Sequence, residues 1–156
     1  MEDQSNYSEA KIQQIAFTEL RNKYPETTGL FYHVPNGGTR DQRTATILTG
    51  QGVVPGIQDL HFIWQGRLHL IEVKNSTGRV DPAQKFIHAK HDLHGLKTYL
   101  FKTSYDIISY VEAVMFGYDL TQFESFISPH SDKTKVDLYL KEYREYRIKQ
   151  KMRSAA

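Results

Sequence analysis

Three side chains in the middle of the chain have the types and spacing of a hydrolytic site: Asp59, Glu72 and Lys74. They fall in two runs rich in branched and aromatic residues, Asp59–Trp64 and Arg67–Val73, joined at Gln65-Gly66. That pattern predicts a β-hairpin. A two-residue loop sets Trp64 opposite Arg67, and counting outward sets Asp59 opposite Glu72, with Cβ atoms roughly 4.5–5.5 Å apart. Lys74 lies two residues beyond Glu72 and so points to the same face. Two carboxylates this close repel unless a cation or a proton lies between them. Hard oxygen ligands suit Mg²⁺ or Mn²⁺, and Mg²⁺ keeps several of its waters, so a nucleophile for hydrolysis is at hand. Lys74 would orient that water and stabilise the charge that develops on phosphorus. The same three residues also describe an ordinary cross-strand ion cluster worth little energy, and spacing alone does not separate the two readings.

The surroundings separate them. FYHVPNGGTR (Phe31 to Arg40), GVVPGIQDL (Gly52 to Leu60), IEVK (Ile71 to Lys74) and DPAQKFI (Asp81 to Ile87) follow one another in an order that resembles the VRR-NUC domain, the virus-type replication-and-repair branch of the PD-(D/E)xK nucleases. The resemblance spans Glu9 to Val111. It implies a restriction-endonuclease-like fold: a mixed β-sheet core flanked by helices. It implies metal ligation by Asp59, Glu72, the backbone carbonyl of Val73, and Glu9, with catalysis by Lys74 and Gln84 beside the two carboxylates. Glu9 with Gln13 matches the family's first-helix Glu and the Gln four residues later; Glu19 competes but lacks the following Gln. Small free-standing members of the family imply a homodimer acting on branched DNA such as a Holliday junction. Flap cleavage, restriction-type cutting of duplex DNA, and a non-catalytic nucleic-acid-binding module of the same fold are the alternatives. One position departs from the pattern: Gln58 stands where the family usually has Pro before its first Asp. The proline shapes the backbone but carries no metal-binding group, so the ligand set is expected to survive its loss.

Composition bounds the reading. At 156 residues and 39% apolar, the chain is long enough to bury a core. A net charge of +2 is too small to make the whole molecule a polycation, so nucleic-acid affinity must come from a local patch. With no cysteine there are no disulfides, thiolate zinc sites or cysteine nucleophiles. The polar, acidic start MEDQSNYSEA lacks an apolar signal core and no apolar run is long enough to span a bilayer, so the expectation is a cytoplasmic protein.

The elements that must position these residues can be read in order. Ser8 to Tyr24 predicts a helix with Ile12, Ile15, Ala16 and Leu20 inward, stopped by Pro25; within it Glu9 is also a favourable first-turn acid whatever its chemistry. Leu30 to Val34 predicts a strand ending in Pro35-Asn36-Gly37-Gly38. Asn36, Gly37 and Gly38 offer close backbone approach to a phosphate. Thr39 is expected to cap a helix through Leu48 that carries Arg40 and Arg43, either solvated or on DNA backbone. Asp81-Pro82 predicts the next helix start, with Phe86, Ala89 and Leu93 buried and His88 and His91 turned to solvent or DNA. His88, His91 and His94 do not share one face closely enough for zinc. Then come a strand at Thr98–Lys102 and a helix from Tyr105 to Phe116, capped by Ser104 and followed by Gly117. His61 and His69 read as plain strand residues. Residues 1–117 thus hold the nuclease-like domain and 118–156 a helical extension. Its last helix has Val136, Tyr139, Leu140, Tyr143 and Tyr146 at helical spacing and is basic towards its end. That helix is a packed amphipathic element, a dimer contact, or an arm on DNA.

Overall fold

The computed structural model describes residues 1–35 and 41–155. Helix α1 (Glu9–Lys23) begins at Ser8, whose side chain accepts a hydrogen bond from the Lys11 N–H, and it buries Ile12, Ala16 and Leu20. This four-residue spacing keeps one stripe on the core. Strand β1 (Phe31–His33) follows, then helix α2 (Gln42–Gly50), strands β2 (Leu60–Trp64) and β3 (Arg67–Val73), helix α3 (Pro82–Leu93), strand β4 (Thr98–Phe101) and helix α4 (Ser104–Phe116). The four strands form one sheet in the order β1-β2-β3-β4. β1 and β3 run antiparallel to β2, whereas β4 runs parallel to β3, with α3 as the crossover between them.

The hairpin has the register that its turn dictates. Trp64 pairs with Arg67 and Leu60 with Ile71, so the next step outward places Asp59 beside Glu72. Gln65 at φ 49° and Gly66 at φ 77° both adopt positive φ, as a type I′ turn requires. The expected cap at Thr39 lies outside the described residues; Asp41 caps the described helix α2, accepting from the Thr44 N–H at 2.7 Å. One cap differs from expectation: Thr103, not Ser104, caps α4. Ser104 is buried and holds the N-terminal arm instead: its N–H donates to Gln4 Oε1 at 2.7 Å, and Gln4 Nε2 donates back to its Oγ at 2.6 Å.

The two faces of the sheet carry different chemistry. Strand alternation sends Leu60, Phe62, Ile71, Val73 and Phe101 to one side, where they pack with α1 and α4 into the apolar core. Burying each such large side chain contributes roughly 1.5–3 kcal/mol. The opposite side receives His61, Leu70, Glu72 and Thr98, and α3 lies over it. The segment 118–135 belongs to the same body. Phe123 is buried in the apolar core, Ile127 bridges Tyr99, and Ser128 N–H donates to the Thr98 carbonyl at 2.8 Å. Helix α5 (Val136–Ala155) then lies along α3, with no residue fully buried. Tyr143 stacks on Phe86 at 6.3 Å, while the Lys133 N–H binds Asp92 near the far end of α3, so the two helices run antiparallel. Among the described residues no helix is long and apolar enough to cross a membrane.

Helix α3 is turned differently from its apolar pattern. Its buried residues are Ala83, Ile87, His88 and Ala89, whereas Leu93 is 49% exposed and Phe86 half-buried. The helix is covered on two sides: Phe86 serves α5, and the stripe of Gln84, His88 and His91 serves the sheet. His88 therefore faces neither solvent nor DNA, and His91 is half-buried.

Candidate active site

Each member of the central cluster is held by its own element. The carbonyl of Asp59 accepts the Val34 N–H at 2.9 Å and contacts His33 Nδ1 at 2.7 Å, which ties the start of β2 to β1. Its carboxylate Oδ2 accepts the Val73 N–H at 2.8 Å, across the mouth of the hairpin. Glu72 is fully buried. Its Oε1 accepts from Gln84 Nε2 at 2.7 Å and lies 3.7 Å from Lys74 Nζ. Its Oε2 has no hydrogen-bond partner among the described residues. The polar atom across from it is His88 Nε2 at 3.8 Å, which also has none.

Gln84 is fixed at both ends. Its Oε1 accepts the Asp81 N–H at 3.0 Å while its own N–H donates to Asp81 Oδ1 at 2.9 Å, a reciprocal capping box. The amide nitrogen is then free to reach Glu72. The resemblance gives Gln84 a catalytic role beside the two carboxylates; its bond here goes to Glu72. The first turn of α3 is pressed against the loop before Asp59. A Cβ on Gly56, whose φ is +90°, would lie 2.6 Å from the carbonyl carbon and oxygen of Ala83, so only glycine fits.

Electrostatics mark the same pair. Burial, and then the charge of Glu72, push the Asp59 carboxyl up to about 7. Burial likewise raises Glu72 to about 7, against the pull of Lys74 and a hydrogen bond with Asp59. Without a cation, the two carboxyls thus hold a proton between them near neutral pH. Burial, aided by Lys74, pushes the His88 imidazole down to about 4, so the ring is neutral.

These residues fit a divalent cation. Two desolvated carboxylates and one orphaned carboxylate oxygen are what such an ion would satisfy, and Mg²⁺ commonly takes only one or two carboxylates and completes its shell with water. Among the described residues no three His, Cys, Asp or Glu side chains are arranged to enclose an ion by themselves. Glu9 lies at the rim. Its charge adds to the upward push on Glu72, and its Oε1 would sit 2.8 Å from a Cβ on Gly78, in the turn after Lys74. Glu19 is an exposed residue ten positions further along α1. Arg43 is exposed on α2. Asn36, Gly37, Gly38 and Arg40 lie outside the described residues.

Sequence reasoning missed the polar layer beneath this cluster. Gln58 is fully buried, and its Nε2 lies 2.9 Å from both Thr98 Oγ1 and His91 Nδ1. Its Oε1 and His61 Nε2 are buried without partners among the described residues. His61, beside His91, and His69, bonded to Tyr110 at 2.9 Å, are thus more than strand filler. Helical spacing does put His88 and His91 on the Gln84 side; the error was to turn that side to solvent or DNA, whereas it faces the sheet.

No family model, curated protein or solved structure matches the chain.

Proposed function

We propose that the protein is a Mg²⁺- or Mn²⁺-dependent deoxyribonuclease of restriction-endonuclease-like fold, similar to VRR-NUC nucleases. The observation that carries this reading is the pairing of Asp59 with the fully buried Glu72 beside Lys74. Burying two adjacent carboxyls is costly, and a bound cation is one way in which that cost is met. The helix and strand order α1-β1-α2-β2-β3-α3-β4, with the cluster at the end of a central hairpin, agrees with that class.

Asp59 and Glu72 would hold the ion, with the Val73 carbonyl and Glu9 completing the site. The ion, when bound, supplies Lewis acidity and makes a water acidic enough to attack phosphorus. The protein's own residues do the positioning. The Val73 N–H fixes Asp59, Gln84 fixes Glu72, and Lys74, anchored by its N–H on the Phe101 carbonyl at 3.0 Å, orients the attacking water and offsets charge on the phosphoryl oxygens.

DNA is the proposed partner. Arg144, Arg147 and Lys151 share one face of α5 at spacings of three and four, and the last turns of α5 form a groove with Gln42 and Ala45 of α2. This basic face, with Arg43, would follow the phosphate backbone. A homodimer would set two such sites on a two-fold-symmetric branched substrate.

A cleavage panel of duplex, flap, fork and four-way-junction DNA tests the proposal, with Mg²⁺, Mn²⁺ or EDTA. Cutting is expected with either ion and none with EDTA or with Asp59→Asn, and the junction should be cut in preference to duplex. A wild-type protein that cuts none of these substrates ends the nuclease reading. A monomer by light scattering, with and without junction DNA, ends the dimer.

A further inference from the structure

Two buried polar atoms face each other without partners among the described residues: Glu72 Oε2 and His88 Nε2, 3.8 Å apart, on side chains with essentially no exposure. An orphaned atom at this depth is costly, so a pair of them facing one another calls for a reason. The other end of the imidazole supplies it. His88 Nδ1 lies 2.8 Å from the hydroxyl of Ser128, and that hydroxyl already accepts the His130 N–H at 3.2 Å. Ser128 itself is buried and anchored by its N–H on the Thr98 carbonyl.

The neutral ring has two possible tautomers. The hydrogen bond between the two carboxyls favours their shared proton on Asp59, which leaves Glu72 an acceptor; with the ring proton on Nδ1, a bare Nε2 lone pair would then face a carboxylate oxygen, acceptor against acceptor. With the proton on Nε2, a donor faces an acceptor, and the Ser128 hydroxyl donates to Nδ1. The second arrangement satisfies both ends of the ring.

Resting on the metal-site reading above, we infer that His88 is a positioning residue for Glu72: Ser128 holds its proton on Nε2, and this N–H steadies Oε2 while Gln84 steadies Oε1. At 3.8 Å the contact is open; such contacts are often long in the unliganded state and tighten in the working complex. The position of the metal-binding carboxylate is thereby set partly by residues 128–130, in the segment that follows α4.

Two measurements on the full chain test this. Nitrogen-15 NMR of the histidine rings in the metal-free protein should show His88 protonated on Nε2, and Ser128→Ala, which removes a single hydroxyl, should move proton population to Nδ1. A wild-type His88 protonated on Nδ1 overturns the inference whatever the ion does. Calorimetric titration with Mn²⁺ then compares side chains by where they place an N–H. His88→Gln puts its amide near the Nε2 position and should keep wild-type affinity. His88→Asn, whose amide reaches only the Nδ1 position, should lose affinity by about ten- to a hundredfold at a comparable Tm. Equal affinities for the two variants would make His88 mere filling and overturn the inference. A wild-type protein that binds no Mn²⁺ instead removes the metal site, and the tautomer result still stands or falls by itself.

Discussion

The two faces of the central sheet are built to different ends. On the α1/α4 face, Phe31, Phe62, Phe101 and Tyr110 pack ring against ring around Ile71 with few polar needs: His69 meets Tyr110 at 2.9 Å, and Trp64 Nε1 is the one buried orphan on this side among the described residues. On the α3 face, four of the five buried side-chain atoms without partners among the described residues sit together, on Gln58, His61, Glu72 and His88. The strands are shared and alternate residues supply each face, so the contrast is not one of location or length. One face is apolar packing; the other carries buried polar atoms whose desolvation is left uncompensated among the described residues, and it is the side on which the proposed ion would bind.

Removing a charge and removing a ring should therefore act in opposite ways. The largest effect is expected from Asp59→Asn and Glu72→Gln. Each should reduce DNA cleavage by well over about a hundredfold, because direct metal contacts matter more than the partners behind them. The metal-free Tm should hold or rise, since a neutral amide replaces a carboxyl whose ionisation is opposed by burial. A variant that lost activity and several degrees of Tm together would erase the distinction between the faces.

Next is Phe62→Ala on the apolar face. The residue is fully buried, and its loss should cost about 3–5 kcal/mol in urea unfolding. The ion affinity of the molecules that remain folded should be unchanged. Reduced affinity at a denaturant concentration where the variant is still native would show that the faces are coupled.

The third test is acidity on the apolar face. Burial pushes His69 down to about 4, so the folded state keeps the ring neutral where the unfolded chain, at about 6.5, would take up a proton. The stability this contributes is complete above about pH 6.5 and is lost as pH falls towards 4. His69→Gln should shrink the difference in Tm between pH 7.5 and pH 4.5. An undiminished difference would assign the acid sensitivity to the histidines of the α3 face.

The smallest effect concerns the outer surface behind the polar face. Arg147→Glu with Lys151→Glu should weaken binding of junction DNA, measured in Ca²⁺. The slope of log affinity against log salt should flatten by roughly 0.9 for each phosphate that the protein no longer neutralises. An unchanged slope would leave α5 as packing for α3 and nothing more.

The hairpin was legible because a two-residue turn leaves one register open, and that register alone puts Asp59 beside Glu72. Helix α1 and the start of α3 were legible from Ser8, Pro25 and Asp81-Pro82, where local chemistry decides. The face of α3 was not. Apolar periodicity assumes one covered side, and this helix has two, so Phe86 and Leu93 marked the wrong stripe and histidine, which suits core and surface alike, gave no correction. Gln58 misled for a related reason. Measured against a proline it looked like a loss, whereas its amide spans β4 and α3 in the way a backbone-shaping residue cannot. Polar contacts between elements forty residues apart leave no periodic trace.

The clasp between Gln4 and Ser104 spans 100 residues. During synthesis Gln4 leaves the ribosome long before its partner does, so this clasp must wait for the fourth helix, although the Ser76 hydroxyl, which donates to the Ser5 carbonyl at 2.6 Å, can hold the neighbouring residue earlier. A chain that folds as it is made therefore completes the clasp late. Anything joined ahead of Gln4 hangs on a segment that locks late, and nascent chains cut before Ser104 should leave the arm open to proteases.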